Sequence, residues 1–213
     1  MLKRVFRPLL ETWRWVRSGY RPPAPTFVKR RVLQRSAIAD ARWIETGTYL
    51  GETTAFLARR FPKVDTIEPM PELARSAQRR FQSSETVTVW EGCSEDLFAG
   101  ILSESMEPVN VWLDGHFSGG ATFVGDRDTP ILSELEALSS FLSKGGSACV
   151  MVDDVRLFAK KHEELPGETT REGYPPLILL CSWAEEKDLN WEIDHDIFVA
   201  RTTDTGQEVR FRN

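Results

Sequence analysis

The sequence contains few cysteines and no long apolar run. Its 213 residues include three cysteines, Cys93, Cys149 and Cys181, which are too widely spaced to form a zinc motif or a disulfide framework. We therefore expect reduced thiols in a cytoplasmic protein. No apolar stretch reaches the length of a transmembrane helix, and the N-terminus has no uncharged segment followed by a cleavage site. Neither a membrane span nor a secretory signal is expected.

A dinucleotide-binding glycine motif is also missing. No Gly-x-Gly-x-x-Gly occurs, which makes a nicotinamide-dependent dehydrogenase a poor interpretation. Instead, residues 43–54 read as a short apolar strand ending in Glu45, a turn through Gly47 and Gly51, and the start of a helix. Tyr49 stands where a central glycine would admit a pyrophosphate. A carboxylate ahead of such a turn suits a ligand that carries a cation and hydroxyl groups.

The charge is unevenly distributed along the chain. Residues 1–35 contain ten Lys or Arg and a single acid, a net charge of +9, so the overall charge of −5 leaves −14 on the remaining 178 residues. This acidic body argues against nucleic-acid binding. Residues 2–17 repeat apolar side chains at three- and four-residue intervals, with arginines between them, which predicts a basic amphipathic helix. Its apolar face is expected to contact an anionic membrane surface, the body of the protein or a second subunit.

A proline-rich segment, residues 21–25, follows this helix and predicts a boundary. Two parts are expected: a basic helix with its linker over residues 1–25, and one domain over residues 26–213. In the domain, apolar strands alternate with helices, which predicts a doubly wound, mostly parallel α/β sheet. The predicted strands are 41–45, 64–68, 86–91, 109–114, 146–153 and 191–201, the last with an expected turn near His195 and Asp196. The predicted helices are 26–37, 53–60, 71–81, 95–102, 130–142 and 176–186.

Polar residues follow the second and third predicted strands. Glu68 closes the second strand, 17 residues after Gly51, where an acid in a doubly wound sheet can accept hydrogen bonds from a ribose diol. The alternative is that Glu68 caps the next helix. After the third strand, Ser94 and Glu95 are placed to contact a purine edge, and Ser94 is equally suited to be a plain helix N-cap.

These residues give the sequence a resemblance to the class I S-adenosylmethionine-dependent methyltransferases over residues 36–201. The resemblance rests on residues 45–51, Glu68, residues 92–95 and Asp114, which ends the fourth strand. It implies a seven-stranded, Rossmann-like sheet whose last hairpin includes an antiparallel strand, drawn from residues 191–201 and 208–212.

The resemblance also implies roles for individual residues. Glu45, Gly47 and Gly51 would line the methionine part of S-adenosylmethionine, Glu68 would hold the ribose hydroxyls, and Ser94 and Glu95 would flank the adenine. The full set of cofactor-binding residues expected is Glu45, Gly47, Thr48, Tyr49, Gly51, Thr53, Glu68, Ser94, Glu95 and Asp114.

Three carboxylates are expected to meet where two neighbouring strands end. Asp114 ends the fourth strand, and Asp153 and Asp154 end the fifth. Three close carboxylates repel one another, so they must be partly protonated, paired with basic residues, or bound to a hard cation such as Mg²⁺. An acid after strand four and an acid pair after strand five resemble the metal-dependent O-methyltransferases of the catechol and macrolide-sugar types. That resemblance makes Asp114, Asp153 and Asp154 the expected metal ligands, against the alternative that the pair only caps a helix.

His116 is the candidate general base. It follows Asp114 by two residues, and its ordinary pKa range suits proton removal near neutral pH. Catechol-type relatives use a lysine in this region, which this sequence lacks. Asp114 is the second candidate catalytic residue, and the glycine-rich segment 117–128 is a candidate lid over the acceptor.

The sequence thus predicts an S-adenosylmethionine-dependent O-methyltransferase assisted by a divalent cation. Its expected acceptor is a vicinal diol or a hydroxyl of a sugar, glycan or other small polar metabolite, with no nucleic acid. The alternatives are a metal-independent methyltransferase and a non-catalytic S-adenosylmethionine-binding protein. A cytoplasmic location is expected, with contact at the inner membrane surface or a homo-oligomer formed through residues 2–17.

Overall fold

The sheet is the central feature of the computed structural model, which describes residues 2–114, 129–158 and 174–203. Within these residues the strands are β1 (Arg42–Thr46), β2 (Val64–Glu68), β3 (Val87–Glu91), β4 (Val109–Leu113), β5 (Ala148–Val152), β6 (Leu189–Asp194) and β7 (Ile197–Thr202). The helices are α1 (Leu2–Arg17), α2 (Thr26–Ser36), α3 (Glu52–Leu57), α4 (Pro71–Phe81), α5 (Ser94–Ser103), α6 (Ile131–Ser143) and α7 (Leu177–Glu186), with a 3₁₀ turn at Val155–Leu157. The predicted alternation of strands and helices is therefore confirmed.

The strand order is β3-β2-β1-β4-β5-β7-β6. The first five strands in this order are parallel, and β7 runs antiparallel to both of its neighbours. The seven-stranded, doubly wound sheet with one antiparallel strand is confirmed. The predicted stretch 191–201 turns where expected, because His195 and Asp196 have φ values of 48° and 72° and form the tight turn between β6 and β7. Residues 208–212, the predicted contributors to this edge, lie outside the described residues.

The central strands are buried on both faces, which explains their continuous apolar sequences. Every residue of β1, β2, β4 and β5 is buried. Their register aligns the carboxyl ends, since Thr46 pairs with Leu113 and Leu113 pairs with Val152. The backbone N–H groups of Asp114 and Asp153 continue this pattern by donating to the carbonyls of Thr46 and Leu113. The predicted strand-end residues therefore meet at one mouth of the sheet.

Helices cover both faces of the sheet. Side chains of α5, α6 and α7 pack on one face together with alternate residues of β4 and β5. Val32 and Leu33 of α2 and Leu57 of α3 pack on the other face against Trp43 and Trp112. Helix α2 is thus part of the packed domain, and its Val28 is also buried.

The N-terminal helix α1 contacts the β6–β7 turn through Trp15. Trp15 packs edge-on against Tyr20 and against His195 in the β6–β7 turn, with ring centroids 5.0 and 5.5 Å apart. Leu9, Trp13 and Val16, which lie on the predicted apolar face, are about half exposed at 65%, 54% and 46%. None of the described helices combines the length and apolar composition needed to cross a membrane.

Candidate cofactor and acceptor site

The turn after β1 has the left-handed backbone that its glycines predict. Gly47, Tyr49 and Gly51 have φ values of 89°, 48° and 67°. The N–H of Gly51 donates to the carbonyl of Thr48 at 2.8 Å, which closes the turn ahead of α3. Tyr49 takes the left-handed conformation without a glycine, and its side chain is 54% exposed. The turn therefore presents backbone to the mouth of the sheet in a conformation that costs energy at a non-glycine residue.

A close contact explains why glycine is required at position 51. A Cβ on Gly51 would lie 2.8 Å from Cε2 of Phe81 on α4, in addition to the unfavourable φ of +67°. Gly145 has a φ of +88° but would place its Cβ in open space. The two glycines therefore separate the cost of backbone conformation from the cost of contact.

We expect Gly51→Ala to lower the stability more than Gly145→Ala. The left-handed conformation costs alanine about 1–2 kcal/mol at either position, and only position 51 adds the clash with Phe81. Each kcal/mol shifts the melting temperature by about 2–4 °C in a protein of this size. Thermal unfolding of both variants would measure the difference, and equal shifts would show that the Phe81 contact has no role.

Glu45 lies buried beneath the turn in a network of hydroxyl groups. Its Oε2 accepts from Thr54 Oγ1 at 2.5 Å and from Thr66 Oγ1 at 2.7 Å, and Thr48 Oγ1 lies 2.6 Å from Thr66 Oγ1. Burial raises the pKa of Glu45 to about 7, the two hydroxyl donors oppose that rise, and nearby Glu68 adds to it. The sequence prediction included Glu45 and Thr48 but missed Thr54 and Thr66.

Glu68 connects the turn after β1 with the end of β2. Its Oε2 accepts the N–H of Tyr49 at 2.7 Å and its Oε1 accepts the N–H of Met70 at 3.0 Å. Each carboxylate oxygen has a second lone pair, so two further acceptor positions remain for ligand hydroxyls. Glu68 therefore fixes the turn and is suited to bind a diol. The capping alternative is partly met as well, since the Met70 N–H adjoins α4.

Ser94 and Glu95 are placed differently at the start of α5. Ser94 is buried, whereas Glu95 is exposed. Ser94 lies beside a buried acid that the sequence prediction missed, Glu134 of α6. Burial raises the pKa of Glu134 to about 7, the Ser94 hydroxyl opposes the rise, and Glu95 adds to it. A glutamate in the first turn of a helix ordinarily indicates a favourable helix dipole contact, so the sequence carries no signal of its burial.

Two buried polar atoms at this mouth lack hydrogen-bond partners among the described residues. They are Oε1 of Glu134 and Oγ1 of Thr46. Glu134 also lines a small cleft at the ends of β4 and β5, together with Asp153 and the side chains Leu113, Thr129, Pro130, Ile131, Val152, Phe158 and Tyr174. Buried polar groups are ordinarily satisfied. The unsatisfied atoms, the left-handed turn and Glu68 together fit a polar ligand such as S-adenosylmethionine.

The three predicted carboxylates meet around a lysine. Lys29 Nζ lies 2.5 Å from Asp153 Oδ2 and 3.1 Å from Asp154 Oδ1. Limited access to water raises the pKa of Asp114 well above its usual range, Asp153 raises it further, and Lys29 opposes the rise. Burial acts to lower the pKa of Lys29, but attraction to Asp153 and Asp154 outweighs it, so the pKa is raised and the side chain is an ammonium. The structure thus provides one of the three expected solutions, a basic partner.

Arg156 adds a second cation to the cluster. Its Nη1 lies 2.6 Å from Asp154 Oδ1 and also contacts Asp196 in the β6–β7 turn. Asp154 has a φ of 55°, and its N–H donates to Asp153 Oδ1 at 2.8 Å. Lys29 of α2 and Arg156 of the 3₁₀ turn therefore fix the pair of aspartates, and Asp196 of the hairpin in turn contacts Arg156.

This arrangement does not fit a divalent cation at the predicted ligands. Carboxylate oxygens suit Mg²⁺, but those of Asp153 and Asp154 already face Lys29 and Arg156. Among the described residues no group of three or more His, Cys, Asp or Glu side chains could hold a metal ion. The assignment of Asp114, Asp153 and Asp154 as metal ligands stays an untested prediction, and the pairing of Asp153 and Asp154 with Lys29 and Arg156 argues against it.

The remaining predicted residues are divided between the described and undescribed parts of the chain. Thr53 lies in the first turn of α3 and is half-buried. His116 and the candidate lid 117–128 lie outside the described residues. The roles assigned to the cofactor-binding and catalytic residues stay predictions, although Glu45, the turn, Glu68 and Asp114 do lie at one mouth of the sheet.

The fold is shared with methyltransferases of known structure. The amino pentose methyltransferase of calicheamicin biosynthesis from Micromonospora echinaspora, with S-adenosylmethionine bound, gives a TM-score of 0.53 at 11% identity over 82% of this chain and 89% of its own. A protein assigned as a caffeoyl-CoA O-methyltransferase from Staphylococcus aureus gives 0.52 at 12% identity over 94% and 91%. An rRNA methylase from Streptococcus thermophilus gives 0.47 at 13% identity over 85% and 96%.

The likeness is one of fold rather than of sequence. No protein-family model matches the chain, and no curated protein matches it in sequence. The strand order, the antiparallel β7 and the superpositions define the class I methyltransferase fold. Function must therefore be argued from the site.

Proposed function

We propose that this protein is an S-adenosylmethionine-dependent methyltransferase acting on a hydroxyl of a sugar or another small polar metabolite. The observation that supports this most is the hydrogen bond from the Tyr49 N–H to Glu68 Oε2, 2.7 Å long. It joins the acid suited to a ribose diol to the turn suited to the methionine end. One preformed unit at the mouth of the sheet thus addresses both the methionine part and the ribose of the cofactor.

The reaction needs alignment and a proton acceptor from the protein. S-adenosylmethionine supplies an electrophilic methyl group on a sulfonium sulfur. The protein must hold the acceptor oxygen in line with that methyl group and accept the hydroxyl proton. Asp114, which continues β4 into the mouth, and His116, two residues further along, are our candidates for this proton acceptor.

The charge of the chain supports a small acceptor. Residues beyond 35 carry a net charge of −14, and such a surface repels the phosphates of a polynucleotide. Incubation with methyl-labelled S-adenosylmethionine and separate panels of sugars, diols and ribosomal RNA would test this. Label found only in RNA would overturn the proposed acceptor class while leaving the reaction type intact.

Calorimetric titration with S-adenosylmethionine tests the cofactor directly. Binding by the folded protein, followed by transfer to a hydroxyl acceptor, is the expected outcome. A folded protein that does not bind S-adenosylmethionine would contradict the proposal. Tight binding without turnover on any acceptor would favour the alternative of a non-catalytic S-adenosylmethionine-binding protein.

Assistance by Mg²⁺ remains a prediction, and the pairing of Asp153 and Asp154 with Lys29 favours the metal-independent alternative.

We further propose that α1 lies on an anionic membrane surface. The helix turns Trp15 towards the domain, so the side of α1 that carries Leu9, Trp13 and Val16 is left exposed. Arg17 lies over the Trp13 ring, with 4.7 Å between the guanidinium carbon and the ring centroid. Exposed apolar side chains beside arginines suit the boundary between lipid headgroups and acyl chains. A second copy of the chain suits this exposed face of α1 less well. Residues 1–35 carry a net charge of +9, and the same segments of two copies would repel each other.

Deletion of residues 1–22 is expected to abolish sedimentation with vesicles that contain anionic lipid. Wild type should bind these vesicles, bind neutral vesicles weakly, and lose binding as salt is raised. A Trp13→Ser variant should show a partial loss, and Ile178→Ser on α7 provides a matched control because Ile178 is also exposed, at 66%. Unchanged sedimentation after the deletion would eliminate the membrane proposal, and a change of oligomeric state would favour the second copy.

A further inference from the structure

Lys29 stands where the resemblance to metal-dependent O-methyltransferases places a divalent cation. We propose that the ammonium of Lys29 permanently takes the place of that cation and that the site works without a bound metal. The catalytic part of this inference rests on the proposed methyltransferase function. The part that concerns cation binding rests only on the geometry of Lys29 and its carboxylate partners.

The contacts of Lys29 are made with the oxygen atoms that a metal would use. Its Nζ lies 2.5 Å from Asp153 Oδ2 and 3.1 Å from Asp154 Oδ1. Magnesium requires oxygen ligands at about 2.0–2.1 Å in a nearly octahedral arrangement. The ion and the ammonium cannot share these oxygens at such distances, because two cations would be in contact. Arg156 holds the same Oδ1 atom of Asp154 at 2.6 Å, which strengthens the exclusion.

The lysine is held in place by the packing of α2. Val28 and Val32, on the same helix, are buried, and the Lys29 side chain is only 20% exposed. Asp153 is 4% exposed. Withdrawing the ammonium would leave the buried carboxylate of Asp153 without its cationic partner, which is far more costly than the same loss at a surface acid. The ammonium is therefore a built part of the site rather than a side chain that a metal displaces easily.

An ammonium and a divalent cation differ in how they hold an acceptor. Lysine has three N–H donors, of which Asp153 and Asp154 accept two. The third would donate to one acceptor oxygen beside Asp114, whose charge already acts on Lys29. A metal can chelate two adjacent hydroxyls, whereas this donor holds one. The proposal therefore gives the acceptor class as a compound with a single suitably placed hydroxyl, with no need for a vicinal diol.

The test is titration of Mn²⁺ into the protein in the absence of S-adenosylmethionine and acceptor. Wild type should show no binding at this site by calorimetry. Lys29→Met should create a cation site, because one positive charge is removed from among the carboxylates. Its affinity for Mn²⁺ should exceed that of wild type by about tenfold or more. Adding Asp153→Asn to Lys29→Met should abolish the gain. Lys29→Arg keeps the charge and should resemble wild type.

Lys63 provides a matched control at the other end of the sheet. It also bridges two carboxylates, with Nζ 3.3 Å from Asp65 Oδ2 and 3.5 Å from Glu104 Oε2. Lys63→Met removes the same charge and should gain no Mn²⁺ site, because Glu104 is 44% exposed and is not held in place by burial as Asp153 is.

Two results would overturn the proposal. One is Mn²⁺ or Mg²⁺ binding to wild type that Asp153→Asn abolishes, a measurement that does not require Lys29→Met to fold. The other is a folded Lys29→Met that gains no cation binding, since the carboxylates would then not form a cation position at all. Neither result depends on methyl transfer, so the methyltransferase proposal can fail or stand separately.

Discussion

Replacement of Glu68 by alanine is expected to weaken the binding of S-adenosylmethionine by about a hundredfold or more. Hydrogen bonds to a charged group are worth about 1.5–3 kcal/mol each, and a carboxylate that holds a ribose diol makes two of them. The same change removes the acceptor of the Tyr49 and Met70 N–H groups, so the turn after β1 also loses its support. Calorimetric titration of the folded variant measures the loss.

Two further variants separate ligand binding from the support of the turn. Glu68→Gln retains one acceptor oxygen and should lose about tenfold in affinity, consistent with the loss of a single charged hydrogen bond. Glu91→Ala is a matched control, because Glu91 pairs with Glu68 in register at the end of the neighbouring strand but is exposed. An affinity for S-adenosylmethionine unchanged in Glu68→Ala would show that the cofactor, if bound, lies elsewhere.

The fold was predictable because its signals are local. Each buried parallel strand is a short apolar run bounded by polar residues, and β2 and α4 begin and end where the sequence places them. Strand β5 is shorter than predicted, Ala148–Val152, because residues 146 and 147 precede the paired ladder. The rules for parallel sheets predict that β4 and β5 are neighbours, as they are in the structure. This pairing brings Asp114 near Asp153.

The partners of the strand-end acids were not predictable. Lys29 meets Asp153 across 124 positions of sequence, and a lysine among the arginines of residues 26–37 has no feature that marks it as buried. Glu134 is similarly indistinguishable from a surface acid at a helix start. The sequence predicts repulsion among three carboxylates but does not say whether protonation, a basic residue or a metal ion relieves it. The packing of α2 against the sheet places the ammonium of Lys29 beside Asp153 and Asp154.

The N-terminal excess of positive charge divides into two physical roles. Lys29 is directed into the site, and Arg35 pairs with Asp194 of the hairpin. These two residues belong to the domain, whereas Arg14 and Arg17 of α1 are exposed beside exposed apolar side chains. A membrane surface bound by α1 would therefore lie one linker away from the helix that supplies Lys29. Truncation at residue 22 should leave Lys29 in place, so membrane binding and cation binding can be lost independently.

Stability is expected to fall as pH rises through the range in which Glu134 titrates. Burial raises the pKa of Glu134 in the folded protein from 4.5 to about 7. Between these values the unfolded chain releases the proton while the folded protein retains it, so the unfolded state is favoured increasingly. The loss is complete above pH 7 and amounts to about 3 kcal/mol, since each pKa unit corresponds to 1.36 kcal/mol.

Glu134→Gln isolates this contribution from that of other acids. The variant cannot ionise, so it should be more stable than wild type at pH 8, by about 6–12 °C in melting temperature, and should lose the advantage near pH 4.5. Glu45 titrates in the same range in both proteins and cancels in the comparison. Glu136→Gln on the same helix is the control, because Glu136 is exposed. A difference between Glu134→Gln and wild type that is constant from pH 4.5 to 8 would mean that Glu134 is stabilised as a carboxylate, through a partner at its Oε1 atom.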